Sequence, residues 1–419
     1  LLPRGSIVTL NKKKIINDPV YGFINIPYEI IFDLLSHPYL QRLRRIKQMA
    51  LAHLVYPGAL HTRLHHALGA MHLMCMALET LRGKGHAISE AEAEGATIAI
   101  LLHDAGHGPF SHALEHTIVE GISHEDISGL VMDRLNREFG GRLDLAIRIF
   151  KGTYEKKFLH QLVSGQLDMD RMDYLNRDSF YSGVSEGVIS FDRIIKMLNV
   201  KDDKLVVEEK GIYSIEKFLI ARRLMYWQVY LHKTVVAAEQ MLIKALGRGR
   251  KLALESDSLF STSPFGLFLH NRVSREDFLS QPEYLDAFLQ LDDHDITVSV
   301  KAWVSHPDKV LSILCGGLIN RQLLRIEVQK NTFGKQQLAG LRAKCAKAFD
   351  LPASDASWLV FSGKLSNSAY RESSENIDIL MKDGSVADIT DASDNFNIRA
   401  LSRTVEKHYC CYPKQLSGM

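Results

Sequence analysis

The stretch LLHDAGHGPFSHALEH, residues 101–116, sets four histidines and one aspartate around two glycines and a proline. Imidazole nitrogens and carboxylates together suit divalent transition ions, and imidazole also carries protons near neutral pH. His103, Asp104, His107 and His112 follow directly on the apolar run GATIAILL. A helix so apolar is buried, and it carries the side chains at its end inward. Gly106, Gly108 and Pro109 stop that helix and let the backbone turn closely around a ligand.

Two further segments supply partners. His66 follows Arg63 by three residues at the start of an apolar-periodic helix, so both share a face. In LDMDRMDYLNRD, Asp170, Asp173, Tyr174 and Arg177 fall at i, i+3, i+4 and i+7, again one face. A lone histidine or aspartate on a helix is ordinarily solvated or hydrogen-bonded; the clustering is what points to a site. His66, His103, Asp104 and Asp170 together offer two imidazoles and two carboxylates. Such a set suits Fe, Mn, Zn or Co better than an all-oxygen Mg site, and it leaves coordination positions for water and substrate.

The elements that must position these groups are mostly helical. From about Tyr28 to about Gly247, IFDLL, LQRLRRIKQM, LGAMHLMCMALETL and AEAEGATIAILLHD repeat apolar residues three and four apart. This predicts a helix bundle, broken at YPGALHTR, RGKGHAIS and GHGPFSH. One strand-like insertion, KLVVEEKGIYSI, predicts a short hairpin over Gly211. The serine-rich ESDSLFSTSPFG reads as a linker or lid. Beyond it ITVSVKAWV, LLRIEVQ, SWLVFSG and IDILMK read as strands and KQQLAGLRAKCAKAF as an amphipathic helix. The expected architecture is mostly α: a helical core over residues 7–250 and a smaller C-terminal α+β region over 251–419, with LLPRGS, residues 1–6, a tag remnant.

Composition narrows the class. The chain has 419 residues, 46% hydrophobic and 24% charged, as an ordinary globular protein has. Its formal charge of +2 gives no bulk attraction for nucleic acid. Cys75, Cys315, Cys345, Cys410 and Cys411 form no C-x-x-C pair, and with no apolar run long enough to span a bilayer the expectation is a cytoplasmic chain without a membrane partner. Cys410 and Cys411, although adjacent, read as incidental thiols.

The ordered set INDPVYGFINI, QRLRRIKQM, YPGALHTRLHHALG, LLHDAGHGPFSH, LDMDRMDYLNRD and YLHK resembles the HD-domain metal-dependent phosphohydrolases. Within them it is similar to the dNTP triphosphohydrolase branch, which includes the vertebrate SAM-and-HD-domain enzyme; the chain looks like a bacterial relative without the SAM domain. The resemblance spans roughly residues 13 to 250 and implies an HD-domain bundle. It also implies that His66, His103, Asp104 and Asp170 bind the transition metal, while Mg arrives with the nucleotide. His112 would protonate the leaving 5′ oxygen, Glu115 and His124 would orient it, and His107 would contact phosphate. Arg63, Arg171 and Arg222 would surround the triphosphate. Gln48 and Asp178 would hold the sugar 3′ hydroxyl, with Tyr174 against the sugar and Tyr230 where a 2′ hydroxyl would be. Glu115 and Arg171 depart from the vertebrate pattern, which has aspartate and lysine there. The implied reaction is attack of metal-activated water at the α-phosphorus, giving deoxynucleoside and inorganic triphosphate.

The same resemblance implies a homo-oligomer, dimer or tetramer, with a dNTP activator at Lys14, Asn17, Gln41 and Arg44. Ser36 stands where the vertebrate enzyme reads guanine with an aspartate, and a neutral hydroxyl cannot accept guanine's paired N–H donors in that way. Two other readings stay open: another HD-type phosphatase or phosphodiesterase acting on nucleotides or nucleic acid, and a nucleotide-binding protein without turnover.

Overall fold

The computed structural model describes residues 14–110, 114–119, 121–255, 258–368, 370 and 376–417. Residues 1–6 and His112 therefore lie outside the described residues, as do the side chains of Glu115 and His116.

Apolar spacing and polar caps together fix the helices. Helix α1 (Arg63–Gly83) opens where His65 Nδ1 accepts the Thr62 N–H, 3.1 Å. Helix α2 (Glu90–Leu102) begins with a reciprocal pair in which Ser89 Oγ accepts from Glu92 N–H and the Glu92 carboxylate from Ser89 N–H. From Gly95 to Leu102 every residue of α2 is buried, so the helix is the hub of the bundle, against α1 on one side and Asp144–Phe150 on another. Helix α3 (His124–Glu138) repeats the reciprocal cap with Ser123 and Asp126. Helix α4 (Met169–Ser182) starts at Asp168, which accepts from Arg171 N–H, and stops at Gly183, whose φ of +73° favours glycine. It packs on α1.

Helix α5 (Ile212–Met225) runs into a wider π-type turn, Tyr226–Tyr230, closed by Leu231 N–H donating to Tyr226 C=O at 2.7 Å. Such turns re-aim side chains and recur at functional sites. Helix α6 (Lys233–Leu254) follows, and α7 (Asp293–Trp303) and α8 (Lys309–Ile319) extend the helical layer, α8 packing on both. Helix α9 (Lys335–Phe349) is the amphipathic helix expected there.

The strands are β1 (Ile15–Asp18), β2 (Gly22–Asn25), β3 (Leu198–Lys201), β4 (Lys204–Glu208), β5 (Arg325–Gln329), β6 (Phe361–Asn367), β7 (Asp378–Leu380), β8 (Val386–Asp388) and β9 (Val405–Tyr412). They form a β1–β2 hairpin, a sheet ordered β3-β4-β7-β8 and a sheet ordered β5-β9-β6. In the second sheet β7 adds in parallel to β4, Val207 opposite Ile379, so a late strand completes an early hairpin. The buried apolar cluster is continuous from Ile24 to Leu416. Among the described residues no helix is long and apolar enough to cross a membrane.

The mostly α fold with a C-terminal α+β part matches the expectation, but four local readings change. ITVSVKAWV is helical: Ile296, Val300 and Trp303 are buried at i, i+4 and i+7, and Asp292 caps the start, which outweighs the β-branched content. The hairpin near KLVVEEKGIYSI does not turn at Gly211; β3 and β4 pair around Asp202 and Asp203, at φ +51° and +61°, an Asp-Asp turn whose signal is weaker than Asn-Gly. SWLVFSG divides into a short helix, Ala356–Leu359, and β6. The β1–β2 hairpin is a second strand pair in the helical half, where only one was expected.

Candidate active site

Helices α1, α2 and α4 gather His66, His103 and Asp170 into one cluster, and Asp104 stands beside it in a second group with His107 and His124. His66 Nε2 lies 3.1 Å from Asp170 Oδ1 and 3.7 Å from Asp104 Oδ2; His103 Nε2 lies 3.3 Å from Asp104 Oδ1 and 3.6 Å from Asp170 Oδ1. Ligand atoms about 2.1 Å from a common ion sit about 3.0–3.5 Å apart, and the separations here run from 3.1 to 3.7 Å. Both imidazoles are also oriented for coordination. Asp173 Oδ2 accepts the His66 Nδ1–H at 2.7 Å and Ile100 C=O accepts the His103 Nδ1–H at 2.6 Å. Nε2 is thus the nitrogen of each ring left to coordinate an ion, and each is buried without a hydrogen-bond partner. This donor set fits a divalent transition ion, and His66, His103, Asp104 and Asp170 could hold it.

The local field favours a cation. Burial pushes the His66 pKa down, yet the Asp170 and Asp173 carboxylates raise it to about 10. Burial opposes ionisation of Asp104, yet His103, His107 and Arg63 hold its pKa well below the usual range. His107 is driven the other way, by burial and then by Arg63, and stays neutral. Its ring stacks on His124 at 3.9 Å, and His107 Nε2 lies 3.3 Å from Asp104 Oδ1.

The backbone turn carrying these groups is clamped from three sides. Arg42, fully buried, donates to the carbonyls of Ala105, His107 and Leu291. Asp293 accepts from Phe110 N–H at 2.8 Å and Lys47 N–H at 3.0 Å. Gly106 lies against α3 so closely that a Cβ would stand 2.2 Å from His124 O and 2.3 Å from Ser128 N.

A cavity of about 630 Å³ opens beside the cluster. Asp104, His107, His124, Asp170, Gln48, Arg63, Arg171, Tyr174, Asp178, Arg222 and Tyr230 all line it. Asp178 is held at both oxygens: His61 Nε2–H donates to one at 2.7 Å and the Tyr230 hydroxyl to the other at 2.7 Å. Arg63 pairs with Asp104, Arg171 with Asp168, and Arg222 donates to Gln166 Oε1 at 3.3 Å. Gln48 Oε1 and Arg222 Nε are buried without partners. Burial also keeps the Tyr174 and Tyr230 hydroxyls protonated, their pKa values raised well above the ordinary.

Lys14, Asn17, Gln41 and Arg44 do not line this cavity. Lys14 and Asn17 are exposed at β1, and Arg44 Nε–H donates to Gln41 Oε1 at 2.8 Å. Among the described residues no hydrogen bond or ion pair joins the two pairs. Ser36 spends its hydroxyl on Phe32 C=O, 2.9 Å.

The sequence reading placed Asp173 on the right face without giving it a part, and it missed His61, Arg42, Asp293, Glu239 and Gln240. The spacing of Asp173 from Asp170 was a usable signal. The others depend on contacts between segments far apart in the chain.

Comparison with known proteins identifies the family. The HD domain matches residues 63–178 and the HD associated region residues 189–263. A solved phosphohydrolase from Bacteroides thetaiotaomicron superposes with a TM-score of 0.93 at 53% identity, covering 96% of this chain and 99% of that one. An uncharacterized protein of Bacillus subtilis, YwfO, is 35% identical over 75% of this chain and 72% of its own length. The Dictyostelium discoideum homolog of the deoxynucleoside triphosphate triphosphohydrolase SAMHD1 is 29% identical over 64% of this chain, which spans 56% of that protein. With its His-Asp doublet set among these ligands, the chain belongs to the HD-domain phosphohydrolase family.

Proposed function

We propose that the chain hydrolyses deoxynucleoside triphosphates to deoxynucleoside and inorganic triphosphate. The observation that carries this reading is that one cavity joins the His/Asp cluster to a corner able to grip a deoxyribose. Asp178 is immobilised by His61 and Tyr230, and Gln48 has an unpartnered oxygen and lines the same cavity, a pair suited to a 3′ hydroxyl. Tyr230, itself tied to Asp178, fills the space a 2′ hydroxyl would need, so ribonucleotides are disfavoured sterically. The 29% identity to a named triphosphohydrolase homolog supports the same reaction class.

His66, His103, Asp104 and Asp170 would hold Fe, Mn, Zn or Co, with Mg accompanying the nucleotide; the bound ions supply positive charge against the phosphoryl oxygens. Arg63, Arg171 and Arg222 orient the triphosphate. Neutral His107 donates to a phosphate oxygen, and His124, stacked on it, keeps its plane. His112 serves as the acid for the leaving 5′ oxygen, oriented by Glu115 and His124. Residues 7–250 carry this chemistry and residues 251–419 support it. A dNTP activator held between subunits of an oligomer contacts Lys14, Asn17, Gln41 and Arg44, without guanine selection because Ser36 is neutral.

The test is chromatography of products from each dNTP, singly and mixed, with Asp104→Ala as control. Deoxynucleoside with intact triphosphate, lost in the control, supports the reading. Monophosphate, orthophosphate or no product under every metal sinks it and favours another HD chemistry or a binding role.

A further inference from the structure

The sugar and phosphate groups leave part of the cavity without an occupant. Val235, Glu239, Gln240 and Ile243 line it from α6, next to Leu231 and to Met49, Ala50 and Ala52. The apolar ones among them, Met49, Ala50, Ala52, Leu231, Val235 and Ile243, suit the faces of a planar heteroaromatic ring. Within that lining Glu239 differs from the other acids, of which Glu125 is exposed to solvent. Asp104, Asp170 and Asp178 each face a cation, an imidazole or a hydroxyl. The Glu239 carboxyl has no hydrogen bond or ion pair among the described residues, and neither has the Gln240 amide. Burial alone pushes Glu239 up to about 7, with no cation offsetting it. An unpartnered carboxyl costs stability, so its presence in a substrate-sized cavity points to a partner on the ligand.

We propose that Glu239 reads the base of the nucleotide and selects guanine. The inference rests on the triphosphohydrolase reading for the identity of the ligand. Among the four bases only guanine offers two adjacent donors, N1–H and the exocyclic N2–H, which a carboxylate accepts together. The Gln240 amide supplies a donor for guanine O6. Adenine and cytosine put a ring acceptor beside their amino group, and thymine flanks its single N–H with two carbonyls, so each turns a lone pair toward the carboxylate. Glu239 is thus a specificity-determining residue with no part in bond cleavage.

The test incubates metal-replete protein with all four dNTPs at equal concentration and compares deoxynucleosides released by wild type and Glu239→Gln. Every reaction then contains the same activators, and product ratios report the substrate cavity alone. Wild type is expected to release deoxyguanosine about tenfold faster than deoxyadenosine, and Glu239→Gln to bring the ratio to within about twofold. Circular dichroism shows whether the variant folds. If it does not fold, dITP, which lacks the N2 amino group, probes the same contact in wild type and should react about tenfold more slowly than dGTP. Equal release of all four deoxynucleosides, a preference unchanged in Glu239→Gln, or dITP reacting as dGTP does overturns the proposal while leaving triphosphohydrolysis standing. If no deoxynucleoside forms at all, the triphosphohydrolase reading fails. Equilibrium binding then decides: tighter dGTP binding lost in Glu239→Gln supports base reading, and equal affinities reject it.

Discussion

On α1, α2 and α4 most polar groups of the cavity are tied to the protein; on α5 and α6 several are not. His66 leans on Asp173, Asp173 on Arg177, and Arg177 reaches Asp18 at 2.7 Å, a chain of buried charges ending at β1. Gly69 makes room for it, since a Cβ there would stand 2.0 Å from Asp173 Oδ1. Arg222 Nε, by contrast, has no partner, and neither Glu239 nor Gln240 has one among the described residues. The difference is one of timing. The first wall is organised before substrate arrives, which saves reorganisation during reaction. The second has hydrogen-bonding groups left for a ligand, and on the proposal above it is the wall that discriminates.

Removing a proposed metal ligand from the tethered wall should have the largest effect. Asp104→Ala and His66→Ala are expected to lower turnover roughly a thousandfold or more, the scale of several kcal/mol of metal assistance. Steady-state kinetics with added metal checks this. Asp173→Asn should cost about 10–100-fold in metal affinity or activity, because His66 keeps its place but loses its anionic partner. A metal titration of activity separates that from misfolding. Gly106→Ala tests whether the turn must touch α3: both nearest atoms are backbone, so the chain must shift, at a cost of about 1–3 kcal/mol in thermal denaturation. Further from the site, Cys410 and Cys411 are buried and burial raises Cys410 to about 11, so a thiol reagent should label neither before unfolding.

The smallest effect concerns pH. Burial tends to raise the Glu92 carboxyl, but Lys156, Ser89 and Tyr154 outweigh it and hold the pKa near 2, against an ordinary 4.5. The ionised cap of α2 therefore contributes its full stability above pH 4.5 and loses it as pH falls toward 2. Glu92→Gln should flatten that acid limb in pH-dependent unfolding. An unchanged acid limb would show that the cap does not anchor the tethered wall.

The first wall is far more legible in the sequence than the second. The apolar run ahead of His103, the Arg63/His66 spacing and the Asp170/Asp173 spacing are local, and local periodicity survives folding. Gln48, Asp178 and Tyr230 come through resemblance instead, since nothing in their spacing marks a cavity. Glu239 reads as one more charge on an amphipathic helix until α6 is docked. His61 is likewise indistinguishable from His65 in HTRLHH; only tertiary packing puts its ring 4.4 Å from Tyr181 and against Asp178. ITVSVKAWV misleads for the opposite reason, because β-branched residues mask a helical period that packing enforces.

The most direct measurement of the central claim is the metal content of the purified chain by plasma mass spectrometry, wild type beside His66→Ala and Asp104→Ala, with circular dichroism to confirm folding. The arrangement predicts one transition ion per chain in wild type and little in either folded variant. A wild type that takes up no transition ion when supplied with one, or variants that retain it fully, would contradict the assignment of His66, His103, Asp104 and Asp170 as a metal centre.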